Sequence, residues 1–141
     1  AYHLGNRHVP IELKPDHFGA HYALTQPAYN GAQALDMYAK TRELKIPVYL
    51  GVMPVVSEKN AEYLHNEVPG IRIPDEIRAR MKGLKGPEGK KAGLELAKSL
   101  IEETFHAADG FYIIQMFNDR DTARELVQWI RTLSRRGTPK G

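Results

Sequence analysis

Gln26 stands where an amide can do chemistry. It directly follows the short stretch Ala20-His21-Tyr22-Ala23-Leu24-Thr25 and directly precedes Pro27. A primary amide at the mouth of a cleft offers one donor face and one acceptor face, which suits the edge of a flat heterocycle. The same amide suits the capping of nearby backbone, and residue types alone leave both readings open.

Other constellations carry less. Gly83-Leu84-Lys85-Gly86-Pro87-Glu88-Gly89-Lys90-Lys91 has the glycines and lysines of a phosphate-binding loop, but five residues rather than four separate Gly83 from Gly89. Lys91 also stands where a magnesium-holding hydroxyl is required, so the segment reads as a solvated, glycine-rich loop. The chain has six histidines, of which His17 and His21 are four apart on a segment that enters a strand, not on a helix. With no HExxH and no clustered histidine–carboxylate set, no metal site is expected. Glu102-Glu103 and Asp75-Glu76 are adjacent on helices and face apart, which argues against a cooperating acid–base pair. No serine lies in a Gly-x-Ser-x-Gly turn, which excludes a hydrolase elbow.

The elements that must hold Gln26 follow from hydrophobic pattern. Ala20–Thr25 predicts a strand that stops at Gln26-Pro27. Asn30 predicts the cap of a helix through Ala34, Leu35, Tyr38, Ala39 and Leu44. Ile46-Pro47-Val48-Tyr49-Leu50-Gly51-Val52 is a continuous apolar run, the mark of a strand buried on both faces of a parallel sheet, with Pro47 at its first positions. Ser57 predicts the cap of a helix over Glu58 to His65, and Pro74 the start of another, with Asp75 and Glu76 in its first turn. Gly93, Leu96, Ala97, Leu100, Ile101 and Thr104 recur at helical spacing. Gly110 to Ile114 predicts a third buried strand. Ala123, Leu126, Val127, Ile130 and Leu133 form a final helical stripe, flanked by Trp129 with its indole N–H toward the polar edge.

Strands separated by helices imply parallel βα units with right-handed crossovers. Two architectures compete, a small three-layer sandwich and part of a (β/α)8 TIM barrel. A whole barrel needs ~250 residues, and this chain has 141. In either case ligands gather at the strand C-termini, here Thr25 to Tyr29, Met53 to Val56 and Gln115 to Asn118. Residues 1–18 are weakly patterned, with Val9 to Leu13 as a short strand compromised by Pro10 and Pro15; 19–133 hold the βα units, and 134–141 are a basic tail.

Composition bounds the function class. Lys and Arg total 20 and Asp and Glu 17, for a net charge of +3; 42% of residues are apolar and 26% charged. That is ordinary for a soluble globular domain and excludes a disordered chain. No apolar run approaches the ~20 residues of a membrane span, so no membrane partner is expected. The absence of cysteine excludes disulfides, thiolate metal sites and a cysteine nucleophile, and suits a reducing, cytoplasmic setting. Positive charge is densest at Arg131, Arg135, Arg136 and Lys140 and reads as a solvated end, so no nucleic-acid partner is expected. The first residues, Ala1-Tyr2-His3, include no initiator Met and no apolar signal region, which suggests a piece of a longer chain.

Four ordered blocks carry a family resemblance. Gly19-Ala20-His21-Tyr22-Ala23-Leu24-Thr25-Gln26-Pro27-Ala28-Tyr29-Asn30 resembles the "GADF-hydrophobic-TQP-aromatic" segment of methylenetetrahydrofolate reductases. Ile46 to Val55 resembles that family's next strand and its proline turn. Ala61 to Pro74 is similar to a stretch of the bacterial branch fused to homocysteine methyltransferase. Glu88-Gly89 to Leu100 and then Gly110-Phe111-Tyr112 continue in the same order.

The resemblance runs from about Gly19 to Leu133 and implies the C-terminal part of a (β/α)8 barrel, incomplete in this chain. It implies FAD as cofactor, NAD(P)H as hydride source and 5,10-methylenetetrahydrofolate as substrate, reduced to 5-methyltetrahydrofolate. Gln26 would contact pterin and nicotinamide, both of which stack in turn on the flavin. Leu64 and Met116 would pack on folate or nicotinamide, and Leu24 would lie beside the flavin. The general-acid glutamate of the family is expected outside this chain. Lys14 is the candidate for the lysine near the flavin phosphates, although Pro15 interrupts the helix on which the family carries it, at ~3 kcal/mol if interior. His21 replaces the usual aspartate, and Gln115-Met116-Phe117-Asn118 departs from the family's turn. An incomplete barrel exposes sheet edges and an apolar inner face, which predicts a homo-oligomer or association with the missing barrel half. The alternative is a non-catalytic remnant of the same fold that binds folate or a partner chain.

Overall fold

The computed structural model describes residues 19–116 and 119–136. Three strands, β1 (Ala23–Pro27), β2 (Val48–Val52) and β3 (Gly110–Ile113), form a parallel sheet in the order β1-β2-β3. Helix α1 (Gly31–Thr41) joins β1 to β2. Helices α2 (Glu58–Glu67), α3 (Asp75–Met81) and α4 (Gly86–Thr104) join β2 to β3, and α5 (Arg120–Arg136) follows β3. Neighbouring strands are consecutive in the chain, so right-handed crossovers return each helix to the same face of the sheet.

The core shows that single-sided arrangement. Ala23, Val48 and Leu50 pack on Ala34 and Tyr38 of α1. Val52 packs on Ala97 and Ile101 of α4 and on Leu126 of α5. A third cluster, Met53, Val55, Ala61, Leu64, Ile71, Ile73 and Met81, sits beyond the end of β2 under α2 and α3. On the opposite face stand Leu24, Tyr49 and Tyr112, all half-buried and all absent from the helix-side clusters.

Helix starts follow local chemistry. Asn30 Oδ1 accepts from the Gln33 N–H at 3.0 Å, and Ser57 Oγ from the Asn60 N–H at 3.0 Å. Pro74 precedes α3, with Asp75 and Glu76 in its first turn.

Several expectations need correction. β1 starts at Ala23, not Ala20, because its ladder begins where the Ala23 N–H meets the Pro47 carbonyl. β3 is half-buried throughout and, among the described residues, pairs on one side only. The glycine-rich segment is helical from Gly86, with Pro87 in the first turn of α4. Val127 is 40% exposed although it lies in the apolar stripe of α5. The Trp129 N–H does not reach a polar edge: it is buried with no hydrogen-bond partner, and the Lys98 ammonium lies 5.2 Å from the ring centroid. The tail residues 137–141 and Val9 to Leu13 fall outside the described residues.

Candidate functional site

The C-terminal tips of the strands are laced together at Thr25. Its hydroxyl accepts the Gly51 N–H at 2.9 Å and donates to the Gln26 carbonyl at 2.7 Å. The Gly51 carbonyl then takes the Ala28 N–H at 3.0 Å. A side chain thus replaces one rung of the β1–β2 ladder, and the register shifts between Leu24 and Pro27. From β3 the Tyr112 hydroxyl donates to the Thr25 carbonyl, its ring lying across Gly51. A Cβ on Gly51 would come 2.8 Å from that hydroxyl oxygen, so the crossing requires glycine.

This irregularity sets the placement of Gln26. Its half-buried side chain lies against Gly70, where an added Cβ would fall 2.6 Å from Gln26 Oε1 and 2.8 Å from Nε2. Gly70 has φ of +83°, a conformation open to glycine and strained for other residues. The turn is tied down on both sides. The Ile71 N–H donates to the Val68 carbonyl at 3.2 Å, and the Ile73 N–H to His65 Nδ1 at 3.2 Å.

Behind that turn lies the apolar cluster. Leu64 is 2% exposed within it, and Met116, half-buried, packs against it after β3. Val68 and Ile71, which flank the Gly70 turn, belong to the same packing. The structure therefore places Leu64 inside this cluster and Met116 against it, partly open, while Gln26 sits on the Gly70 turn whose flanks belong to the same packing. Leu24 stands on the helix-free face. Lys14, Phe117 and Asn118 lie outside the described residues.

A shallow apolar crevice runs beside Met116, bordered by Pro54, Val56, Ile114, Gln115 and Asp119. Partial burial alone would raise the Asp119 carboxyl. Hydrogen bonds from the Thr122 hydroxyl at 2.8 Å and the Thr122 N–H at 3.4 Å, with Lys90 at 3.4 Å, outweigh that and hold it below the usual carboxylate range. Tyr29 donates its hydroxyl to the Met53 carbonyl at 2.9 Å, and burial pushes that phenol far above its ordinary pKa. Among the described residues, no group of three histidine, cysteine or carboxylate side chains is placed to hold a metal ion. No described helix is long and apolar enough to cross a membrane.

Gly51, Gly70 and Tyr112 escaped the sequence reading, which placed Thr25 at a strand tip but gave it no role of its own. Gly51 inside an apolar strand and Gly70 after Pro69 were the available signals, since a strand glycine marks close approach of other groups.

Comparison with known proteins adds a fold relative. No protein-family model matches the chain. A solved structure of an uncharacterized protein from Clostridium thermocellum, described as binding two copies of 5-methyl-5,6,7,8-tetrahydrofolic acid, superposes with a TM-score of 0.61. The likeness covers 86% of this chain and 46% of that one at 19% identity, so the two share a fold and this chain spans about half of the larger molecule. Among curated proteins, urease accessory protein UreE of Paracidovorax citrulli (strain AAC00-1) is 94% identical over 17 residues, 12% of this chain and 8% of that protein. UreE of Verminephrobacter eiseniae (strain EF01-2) matches to the same extent over 10% of its length. A 17-residue match is a shared segment and carries no fold or function for the rest of the chain.

Proposed function

We propose that this chain binds a reduced folate at its strand tips. On this reading it is the C-terminal part of a (β/α)8 barrel that passes hydride from NAD(P)H through FAD to 5,10-methylenetetrahydrofolate. The observation that carries the reading is the Gln26 amide at the end of β1, seated against a glycine turn and neighboured by the apolar packing of Leu64 and Met116. One amide beside apolar surface suits a pterin, whose ring edge carries donors and acceptors and whose faces are flat. The bound folate of the larger fold relative supports the ligand class. The consecutive strand order supports a cylinder, because it places every helix outside and leaves Leu24, Tyr49 and Tyr112 inside.

In this arrangement Gln26 fixes the ring edge, Met116 covers a face, and Leu64 supports the slot from below. Leu24 lies on the side where the flavin ring belongs. The flavin, when bound, supplies the hydride chemistry, and the protein supplies orientation. The described strand tips fit ring systems better than phosphates: Lys90, the cation beside the crevice, is committed to Asp119. Lys14 remains the candidate for the phosphate end.

A second reading, a binding module that reduces nothing, has one observation in its favour. Asp119, the carboxylate bordering the crevice, is held ionised by Thr122 and Lys90 and so is poorly suited to donate a proton. On the reductase reading the general acid comes from another part of the barrel, either upstream residues or an associated chain. Among the described residues β1 and β3 each pair on one side only, which fits either a homo-oligomer or that association.

Isothermal titration with 5-methyltetrahydrofolate tests the proposal. Binding is expected, and Gln26→Ala is expected to weaken it about tenfold, the worth of one hydrogen bond of ~1.4 kcal/mol, with little change in Tm. Absence of binding, or an unaffected variant, overturns it. A flavin absorption band that co-purifies with the protein separates the reductase reading from the binding module.

A further inference from the structure

At the other end of the sheet, a cleft of about 480 Å³ opens between the C-terminal end of α1, the entry to β2 and the loop before β3. Its volume falls in the range of small-molecule sites, ~300–1,000 Å³. The floor is Val48, and both of its backbone groups are satisfied by side chains. The Val48 N–H donates to Asp109 Oδ2 at 2.8 Å, and its carbonyl accepts the Tyr38 hydroxyl at 2.8 Å. Burial, then the nearby Asp109 charge, raise the Tyr38 phenol far above its ordinary value, so it stays a neutral donor to that carbonyl. The Thr41 hydroxyl is spent on the Met37 carbonyl at 3.0 Å.

The mouth carries charges of both signs: the Asp109 carboxylate is exposed there with one oxygen on the Val48 N–H, and two cations stand with it. Arg42 and Lys45 line the cleft, exposed, and among the described residues neither has an ion-pair partner. The His106 side chain lines the far side. Leu44, Ile46 and Pro47 supply apolar wall between the charges. Guanidinium and ammonium groups over an apolar wall match a ligand with an anionic head and a ring body.

We propose that this cleft is a second ligand site, one that takes a small aromatic anion, its charge on Arg42 and Lys45 and its ring against Leu44, Ile46 and Pro47. The site is independent of the folate reading. Val48 and Val52 are the two ends of β2, four residues apart, so roughly 13 Å of strand separates this floor from the Gln26 end.

Phenyl phosphate and inorganic phosphate are the probes, titrated into the full chain and followed by amide proton–nitrogen NMR. Phenyl phosphate is expected to shift the amides of residues 41–48 and 106–109, to bind at least tenfold tighter than inorganic phosphate, and to leave Gln26 and Gly70 unmoved. Arg42→Ala with Lys45→Ala is expected to cost tenfold or more in affinity while the far-UV circular dichroism stays unchanged. The single variant Lys45→Gln, at an exposed position, is expected to show a smaller loss in the same direction. Equal affinity for the two anions, shifts confined to the Gln26 end, or variants that bind like the parent each overturn the proposal.

Discussion

The α-carbon of Gly93 faces the carbonyl oxygen of Val55 so closely that a Cβ there would lie 1.6 Å from it. One turn earlier on α4, a Cβ on Gly89 would lie 2.3 Å from the Val56 carbonyl oxygen. Helix α4 therefore packs its bare backbone on the segment leaving β2, and that contact fixes how far the Met53-to-Val56 tip stands from the helices. Neither opposing atom is a flexible side-chain end, so the clash has no cheap relief.

Gly93→Ala should cost about 3 kcal/mol, the upper range for overpacking a closed contact, and lower Tm by about 10 °C. Gly83→Ala is the control. Gly83 has φ of +75° with nothing within 4 Å of an added Cβ, so it should lose only ~1–2 kcal/mol to backbone strain. Thermal denaturation of the two variants checks the order, and equal losses would refute the close packing.

The Gly70 turn makes the corresponding prediction for the site. An alanine there pushes into the Gln26 amide and strains a left-handed backbone. Gly70→Ala should weaken 5-methyltetrahydrofolate at least as much as Gln26→Ala does, with a Tm loss that Gln26→Ala does not show. Calorimetric titration beside a melting curve reads both effects, and a Gly70→Ala protein that binds normally would separate the turn from the amide.

Tyr112 and Thr25 hold the strand tips together through side chains rather than ladder bonds. Tyr112→Phe leaves the Thr25 carbonyl without that donor and should cost about 1–2 kcal/mol. Thr25→Val removes the acceptor of the Gly51 N–H, so hydrogen exchange at Gly51 should accelerate while that at Leu50 changes little. Urea titration and exchange-detected NMR provide the measurements.

These features show where sequence reading ends. The caps at Asn30 and Ser57 were legible because a cap is decided within four residues. The apolar run through Val48–Val52 was legible because burial on both faces leaves a continuous pattern. The start of β1 was not, since its first rung depends on where Pro47 lies in space. Gly89 looked like loop chemistry and Gly93 like an ordinary member of a helical stripe, because the reason for both glycines, the Val55–Val56 backbone, is more than 30 residues away. Gln26 was legible as an amide at a strand tip, but its seat on Gly70 is a tertiary fact. The indole of Trp129 also ran against the expectation: its N–H is buried without a partner, and the Lys98 ammonium lies over its ring.

Acid should expose the carboxylate pairs. Glu62 is held below its ordinary value first by hydrogen bonds from Arg78, at 2.7 Å to each oxygen, and Asp119 by Thr122 and Lys90 against the opposing effect of burial. A folded-state pKa below the unfolded one contributes stability above the unfolded value, and that contribution is lost as pH falls through the folded value. Tm should therefore hold above about pH 5 and fall as pH drops through and below the unfolded carboxylate range, near 4. Asp119→Asn keeps an acceptor for Thr122 but cannot titrate, so its Tm should fall less steeply over the same range. Parallel slopes for parent and variant would mean that Asp119 carries none of the acid sensitivity.

Trp129 closes the set because it is the chain's single tryptophan, so its emission reports one place. Its buried N–H has no partner, which is a standing cost that phenylalanine would not carry. Phenylalanine also fills less volume and weakens the contact with Lys98, since indole is the stronger cation–π face. The two effects oppose each other, so Trp129→Phe should change stability by no more than about 1 kcal/mol, less than the ~3 kcal/mol or more expected when a buried large aromatic is truncated to alanine. The parent should emit at short wavelength and resist quenching by acrylamide. A large loss in the phenylalanine variant, or ready quenching in the parent, would mean that the indole N–H meets a partner after all.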